Sequence, residues 1–159
     1  MQKQKLAALF LMVLLSGPAW AEMNALWGRA TAVESSNYPA SSVVYDVVAA
    51  TPEALNAVLD RVSGLNGEYA HNPFDASIVL VLHGPELAFF DIRNFQRYEA
   101  LVRRAQSLTV GTAISLRACQ RSARNQGIPP ENLHGFLQLV PMADAEIVKL
   151  QRDGYAYMR

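Results

Sequence analysis

Cys119 is the one cysteine in the 159-residue chain, and it follows an apolar, strand-like run. Arg117 and Arg121 stand two residues to either side of it, and Arg124 lies a helical turn further on. The reactive form of cysteine is the thiolate, which nearby cations and the unpaired N–H groups of a helix N-terminus both favour. A cysteine that opens a short helix among three guanidinium groups reads as a reactive nucleophile. It reads equally as a small buried hydrophobe, because free cysteine is among the most buried residue types. An odd cysteine also raises an intermolecular disulfide.

His83 ends the apolar run Ile78–Leu82 and stands before Gly84-Pro85, where the backbone must turn. A histidine there can act as a base or donate to a bound sulfur or oxygen atom. The plainer reading is a ring that hydrogen-bonds a loop carbonyl and holds the turn. Asp46, inside a β-branched run, either accepts hydrogen bonds near the sheet edge or marks a solvated strand end. Gly84, Arg117, Arg121 and Pro141 complete the candidate pocket around Cys119 and His83.

Other chemistries lack their motifs. His71 and His134 lie in loop-like surroundings, no two histidines have metal-ligand spacing, and there is no second cysteine, so no metal or cofactor is implied. The dinucleotide-binding glycine pattern, the phosphate loop, the G-x-S-x-G elbow and the C-x-x-C pair are all missing from the sequence. The chain carries 14 basic and 14 acidic residues. That balance leaves no basic footprint for nucleic acid.

The elements that must position these residues alternate in type. Val43–Val48 is short and β-branched, as in a buried strand. Thr51-Pro52-Glu53 opens a helix with a capping hydroxyl, a proline at the first position and an acid at the positive end of the dipole. Leu55, Val58, Leu59 and Val62 share one face of it, and Gly64 is the expected stop. Ile78–Leu82 is a second buried strand. Tyr98, Leu101, Val102 and Ala105 mark a second helix, Ala113–Leu116 a third strand, and Cys119–Gln126 a short polar helix closed by Gly127 and Pro129-Pro130. Phe136–Val140 is a fourth strand, Ala145–Arg152 a helix, and Tyr155–Met158 a last strand. This order predicts an α/β domain, three-layered, with a mostly parallel sheet of about five strands. Such sheets bind ligands beyond the carboxyl ends of their strands. Those ends carry His83-Gly84-Pro85, Arg117-Ala118-Cys119 and Pro141-Met142, so a histidine, a thiol and an apolar loop are expected on one edge.

The first 21 residues read as a targeting signal. Lys3 and Lys5 precede the unbroken apolar run Leu6–Leu15, and Ala19-Trp20-Ala21 supplies an A-x-A cleavage pattern. That run is half the roughly 20 residues a membrane span needs, so cleavage is expected rather than a stable membrane anchor. The expected product is a periplasmic or secreted protein with a net charge near −2, since losing Lys3 and Lys5 leaves 12 basic residues against 14 acidic ones. Residues 22–41, with Gly28, Ser35, Ser36, Asn37 and Pro39, read as an extended arm in which Leu26 and Trp27 are docking points.

From Val43 to Met158 the chain resembles the DsrE/DsrF-like family, the sulfur-relay group with the YchN-like fold. The carrying pieces are Val43-Val44-Tyr45-Asp46, Leu82-His83-Gly84-Pro85, Cys119 after the third strand, Leu139-Val140-Pro141, and above all the tail from Glu146 to Tyr157. The resemblance implies a three-layer α/β/α domain assembled as a homotrimer or hexamer. It also implies a sulfur carrier or binding protein rather than a turnover enzyme. Cys119 would hold sulfur as a persulfide, exchanged with a donor or acceptor protein. The alternative from the residues alone is a non-catalytic oligomeric module that binds a small ligand or partner, with Cys119 structural.

Overall fold

The structure is a computed structural model that describes residue 30 and residues 38–69 and 76–159. The expected signal segment, Leu26, Trp27 and His71 lie outside the described residues.

The elements follow the order β1 (Ser42–Val47), α1 (Pro52–Glu68), β2 (Ser77–Leu82), α2 (Phe95–Leu108), β3 (Ile114–Cys119), α3 (Gln120–Asn125), β4 (Gln138–Val140), α4 (Ala143–Arg152) and β5 (Ala156–Met158). The sheet has the strand order β4-β3-β2-β1-β5, and every neighbouring pair is parallel. Parallel crossovers are right-handed. Three successive crossovers in one direction, from β1 to β4, therefore send α1, α2 and α3 to one face. The return from β4 to the far side of β1 reverses direction and lays α4 on the other face. The result is a three-layer α/β/α sandwich in which the neighbouring strands β3 and β4 feed helices on opposite faces.

Side-chain alternation divides the core accordingly. Val43, Tyr45 and Val47 of β1, with Ile78, Leu80 and Leu82 of β2, pack against Leu55, Leu59, Val62, Leu101, Val102 and Ala105. On the opposite face Val44, Val79, Val81 and Cys119 meet Ala143, Ile147 and Leu150 of α4. This second layer is thinner, because one ten-residue helix covers it.

Most element boundaries agree with the sequence reading to within a few residues, with three corrections. Helix α1 does not stop at Gly64 but runs on to Glu68. A mid-helix glycine costs about 1 kcal/mol relative to alanine, and burial of the preceding Leu55–Leu59–Val62 stripe carries the helix past it. Strand β3 extends beyond Leu116 to Cys119, since its pairing with β2 continues through Leu82↔Ala118. Strand β4 begins at Gln138 rather than Phe136. Phe136 turns its ring edge-on to Phe90, 6.1 Å away, and the Leu137 N–H donates to the His134 carbonyl in a turn. The start of α1 matches the reading, with the Ala54 N–H donating to Thr51 Oγ1 at 3.2 Å. Thr51→Ala is expected to lower the stability of the domain by about 1 kcal/mol, read from urea unfolding. Among the described residues, no helix is long and apolar enough to cross a membrane.

Candidate functional site

Cys119 is the last residue of β3 and the N-cap of α3, with its Sγ accepting from the Ser122 N–H at 3.4 Å. It is only 2% exposed, yet it forms part of the wall of a cavity of about 280 Å³ that opens at the carboxyl edge of the sheet. His83, Arg121, Ser122, Asn125, Met142, Ala143 and Asp144 complete that wall. The cavity exists because α3 leaves β3 toward one face while α4 starts on the other. The two helices diverge, and the thiol sits in the cleft between their N-terminal ends.

Burial pushes the Cys119 thiol up, but hydrogen bonds from Ser122, both side chain and backbone, and from the Ala143 and Arg121 N–H groups outweigh it and hold the thiol below its ordinary value. The N–H donors are the orphan groups of two helix starts, which favour negative charge. This corrects the expectation that arginine charge would stabilise a thiolate. Arg117 shares the face of Cys119 but is committed to an ion pair with Glu146 of α4. Arg124 reaches Gln120 Oε1 at 3.2 Å on the exposed side of α3. Of the three arginines only Arg121 borders the cavity, with Nη1 3.9 Å from Met142 Sδ.

A depressed thiol titrates early. Alkylation of Cys119 is therefore expected to reach half its maximal rate at a pH below the ordinary thiol value of about 8.5. Small reagents should react faster than bulky ones because access is only through the cavity. A half-maximal rate at or above that value contradicts the assignment. Linkage has the matching sign. Folding favours the thiolate, so this contribution to stability is complete above the unfolded thiol value and is lost as pH falls through the folded one.

Among the described residues, His83 is not bound to a loop carbonyl. Its Nε2 lies 2.6 Å from Asp46 Oδ1, and the other carboxylate oxygen, Oδ2, accepts from the Tyr157 hydroxyl at 2.6 Å. Burial raises the Asp46 carboxyl, but the hydrogen bonds from Tyr157 and His83 overcome it, so the group stays ionised below the usual carboxylate range. Tyr157 is raised in turn by the same contact. Gly84, Arg117 and Pro141 are not among the residues that border the cavity. Pro141 is exposed in the turn after β4. Gly84 lies behind the wall, where its N–H donates to Glu86 Oε1 at 2.7 Å and its carbonyl accepts from Gln126 Nε2 at 3.0 Å.

Sequence reasoning missed Glu86. This residue is fully buried and uses both carboxyl oxygens, Oε1 on Gly84 N–H and Oε2 on Ala49 N–H at 2.8 Å. It ties together the segments that leave β1 and β2, which carry Asp46 and His83. A glutamate in the Pro85–Phe90 turn carries no sequence signal of burial. His134, read as a loop histidine, stacks on Phe136 and meets Phe95 edge-on, away from the cavity.

Fold and site together define an all-parallel α/β/α domain with a thiol pocket at the carboxyl edge of its sheet. No family model and no curated protein matches the sequence. In three dimensions the chain is similar to MTH1491 from Methanobacterium thermoautotrophicum, a protein of unknown function. The TM-score is 0.61 at 18% identity, over 75% of this chain and 98% of that one. The likeness shows a shared fold.

Proposed function

We propose that this chain is an exported, DsrE-like sulfur carrier that accepts sulfane sulfur on Cys119 and surrenders it to a partner protein. The single observation that carries the reading is the position of Cys119 Sγ. It borders an open cavity and is held by N–H donors that favour its thiolate. A carrier needs a thiolate reachable by small sulfur donors yet shielded from bulk oxidants, and a thiol 2% exposed at the wall of a cleft meets both needs. The same burial opposes a chain-to-chain disulfide through Cys119. Such a bond needs the two Cβ atoms within about 4.5 Å of each other.

A second reading, a non-catalytic binding module, draws on the packing of Cys119 against Val44, Val79 and Val81. Treatment of the mature protein with a persulfide or polysulfide donor separates the two. The carrier reading expects one added sulfur on the peptide that contains Cys119, removable by a dithiol. An unchanged mass after treatment leaves the binding-module reading. The family resemblance further supports assembly as a homotrimer or hexamer, which sedimentation of the mature chain would test.

A further inference from the structure

The geometry points to a proton shuttle built across four adjacent strands, in which His83, held by Asp46, serves Cys119 during sulfur uptake from an alkyl persulfide. The inference rests on the sulfur-acceptor reading of Cys119 and adds to it a catalytic residue, a positioning residue and a donor class.

The strands β5, β1, β2 and β3 are neighbours in that order. At their carboxyl edge, Tyr157, Asp46, His83 and Cys119 come from each in turn. Tyr157 Oη donates to Asp46 Oδ2, and Asp46 Oδ1 faces His83 Nε2. The register of β2 and β3 pairs Leu82 with Ala118. One step further puts His83 level with Cys119, and adjacent strands run about 4.8 Å apart. Both residues border the same cavity. An ionised Asp46 can only accept, so Nε2 carries a hydrogen and donates it. Nδ1 is then the ring atom left to exchange a proton, and among the described residues it makes no hydrogen bond. A carboxylate that orients a histidine beside a nucleophile is the arrangement that activated nucleophiles require.

The step balances as follows. Cys119 gives its thiol proton to His83 Nδ1, and Asp46 steadies the imidazolium. The thiolate attacks the terminal sulfur of R–S–SH. A bond forms between Cys119 Sγ and that sulfur, while the bond from R–S to it breaks and its electron pair leaves with R–S⁻. His83 returns the proton to R–S⁻. The products are Cys119–S–SH and R–SH. One persulfide is consumed and one is formed, so no oxidant or reductant is needed. Protonating the departing group matters when that group is a basic alkyl thiolate. It matters little for a weakly basic leaving group such as sulfite or an aryl thiolate.

The test compares glutathione persulfide with a bis(nitrobenzoate) disulfide as substrates for wild type, His83→Gln, Asp46→Asn and Cys119→Ser. His83→Gln is expected to slow loading from the alkyl persulfide about 100-fold, and reaction with the aryl disulfide by less than about 10-fold. Asp46→Asn should show the same donor-dependent pattern with a smaller effect. Equal slowing with both donors, or none, in His83→Gln overturns the shuttle. If the variants unfold, wild type alone decides. Across persulfides of rising thiol basicity its loading rate should stay nearly flat, and a steep fall overturns the proposal. Cys119→Ser keeps the two failures apart. Loading that survives this change removes the sulfur-acceptor reading itself. Loading lost in Cys119→Ser but insensitive to His83 removes only the shuttle.

Discussion

Cys119→Ser is expected to end sulfur loading altogether, the largest functional effect of any single change in this chain. Serine differs from cysteine by one atom, and a hydroxyl is neither ionised near neutral pH nor able to hold sulfane sulfur. The substitution is also mild for the fold. Cys119 caps α3 through Sγ, and serine is a better N-cap than cysteine, so the helix start keeps its acceptor. Loss of loading with an unchanged unfolding midpoint would therefore report chemistry rather than collapse. Intact-mass measurement before and after donor treatment reads the outcome, and a serine variant that gains sulfur as wild type does would refute the carrier reading.

The largest expected effect on stability lies behind the site, at Glu86. Glu86→Ala leaves the Ala49 and Gly84 N–H groups buried without acceptors. An unsatisfied buried donor costs about 1–3 kcal/mol, so the pair is expected to cost about 2–6 kcal/mol. That is a large share of the roughly 5–15 kcal/mol by which domains are stable. Glu86→Gln retains one acceptor oxygen and should lose clearly less. Denaturant unfolding of the two variants measures both, and equal midpoints for wild type and Glu86→Ala would contradict the clamp. The neighbourhood leaves no slack. A Cβ added at Gly84 would lie 2.6 Å from Glu86 Oε2 and 2.7 Å from Val48 Cγ1, so Glu86 and Gly84 fit only as a pair. Loss of the clamp should also loosen Asp46 against His83, because Ala49 follows Asp46 just past the end of β1 and Gly84 follows His83 just past the end of β2.

Much of the scaffold was legible from local pattern. The β-branched runs at Val43–Val48 and Ile78–Leu82, the Thr51-Pro52 helix start and the apolar stripe of α1 each depend on neighbours within a few residues. Periodicity and capping report such relations directly. The carboxyl-edge position of His83, Cys119 and Met142 followed as well, because alternating strands and helices admit few topologies. All three border one cavity. Gly64 misled because a glycine stop is a local signal, and long-range burial of α1 overrode it.

The partners of the charged groups were not legible. Arg117 is two residues from Cys119 in sequence, yet its charge goes to Glu146, which α4 brings over from 29 residues away. Asp46 meets His83 across 37 residues and Tyr157 across 111. Local order could place a thiol at the start of a helix and a histidine at the end of a strand, because backbone geometry carries that information within a few residues. Which cation is neutralised, which carboxylate orients the imidazole and which glutamate is sealed behind the wall depend on strand register and on the reversed last crossover. Those exist only once distant segments have packed.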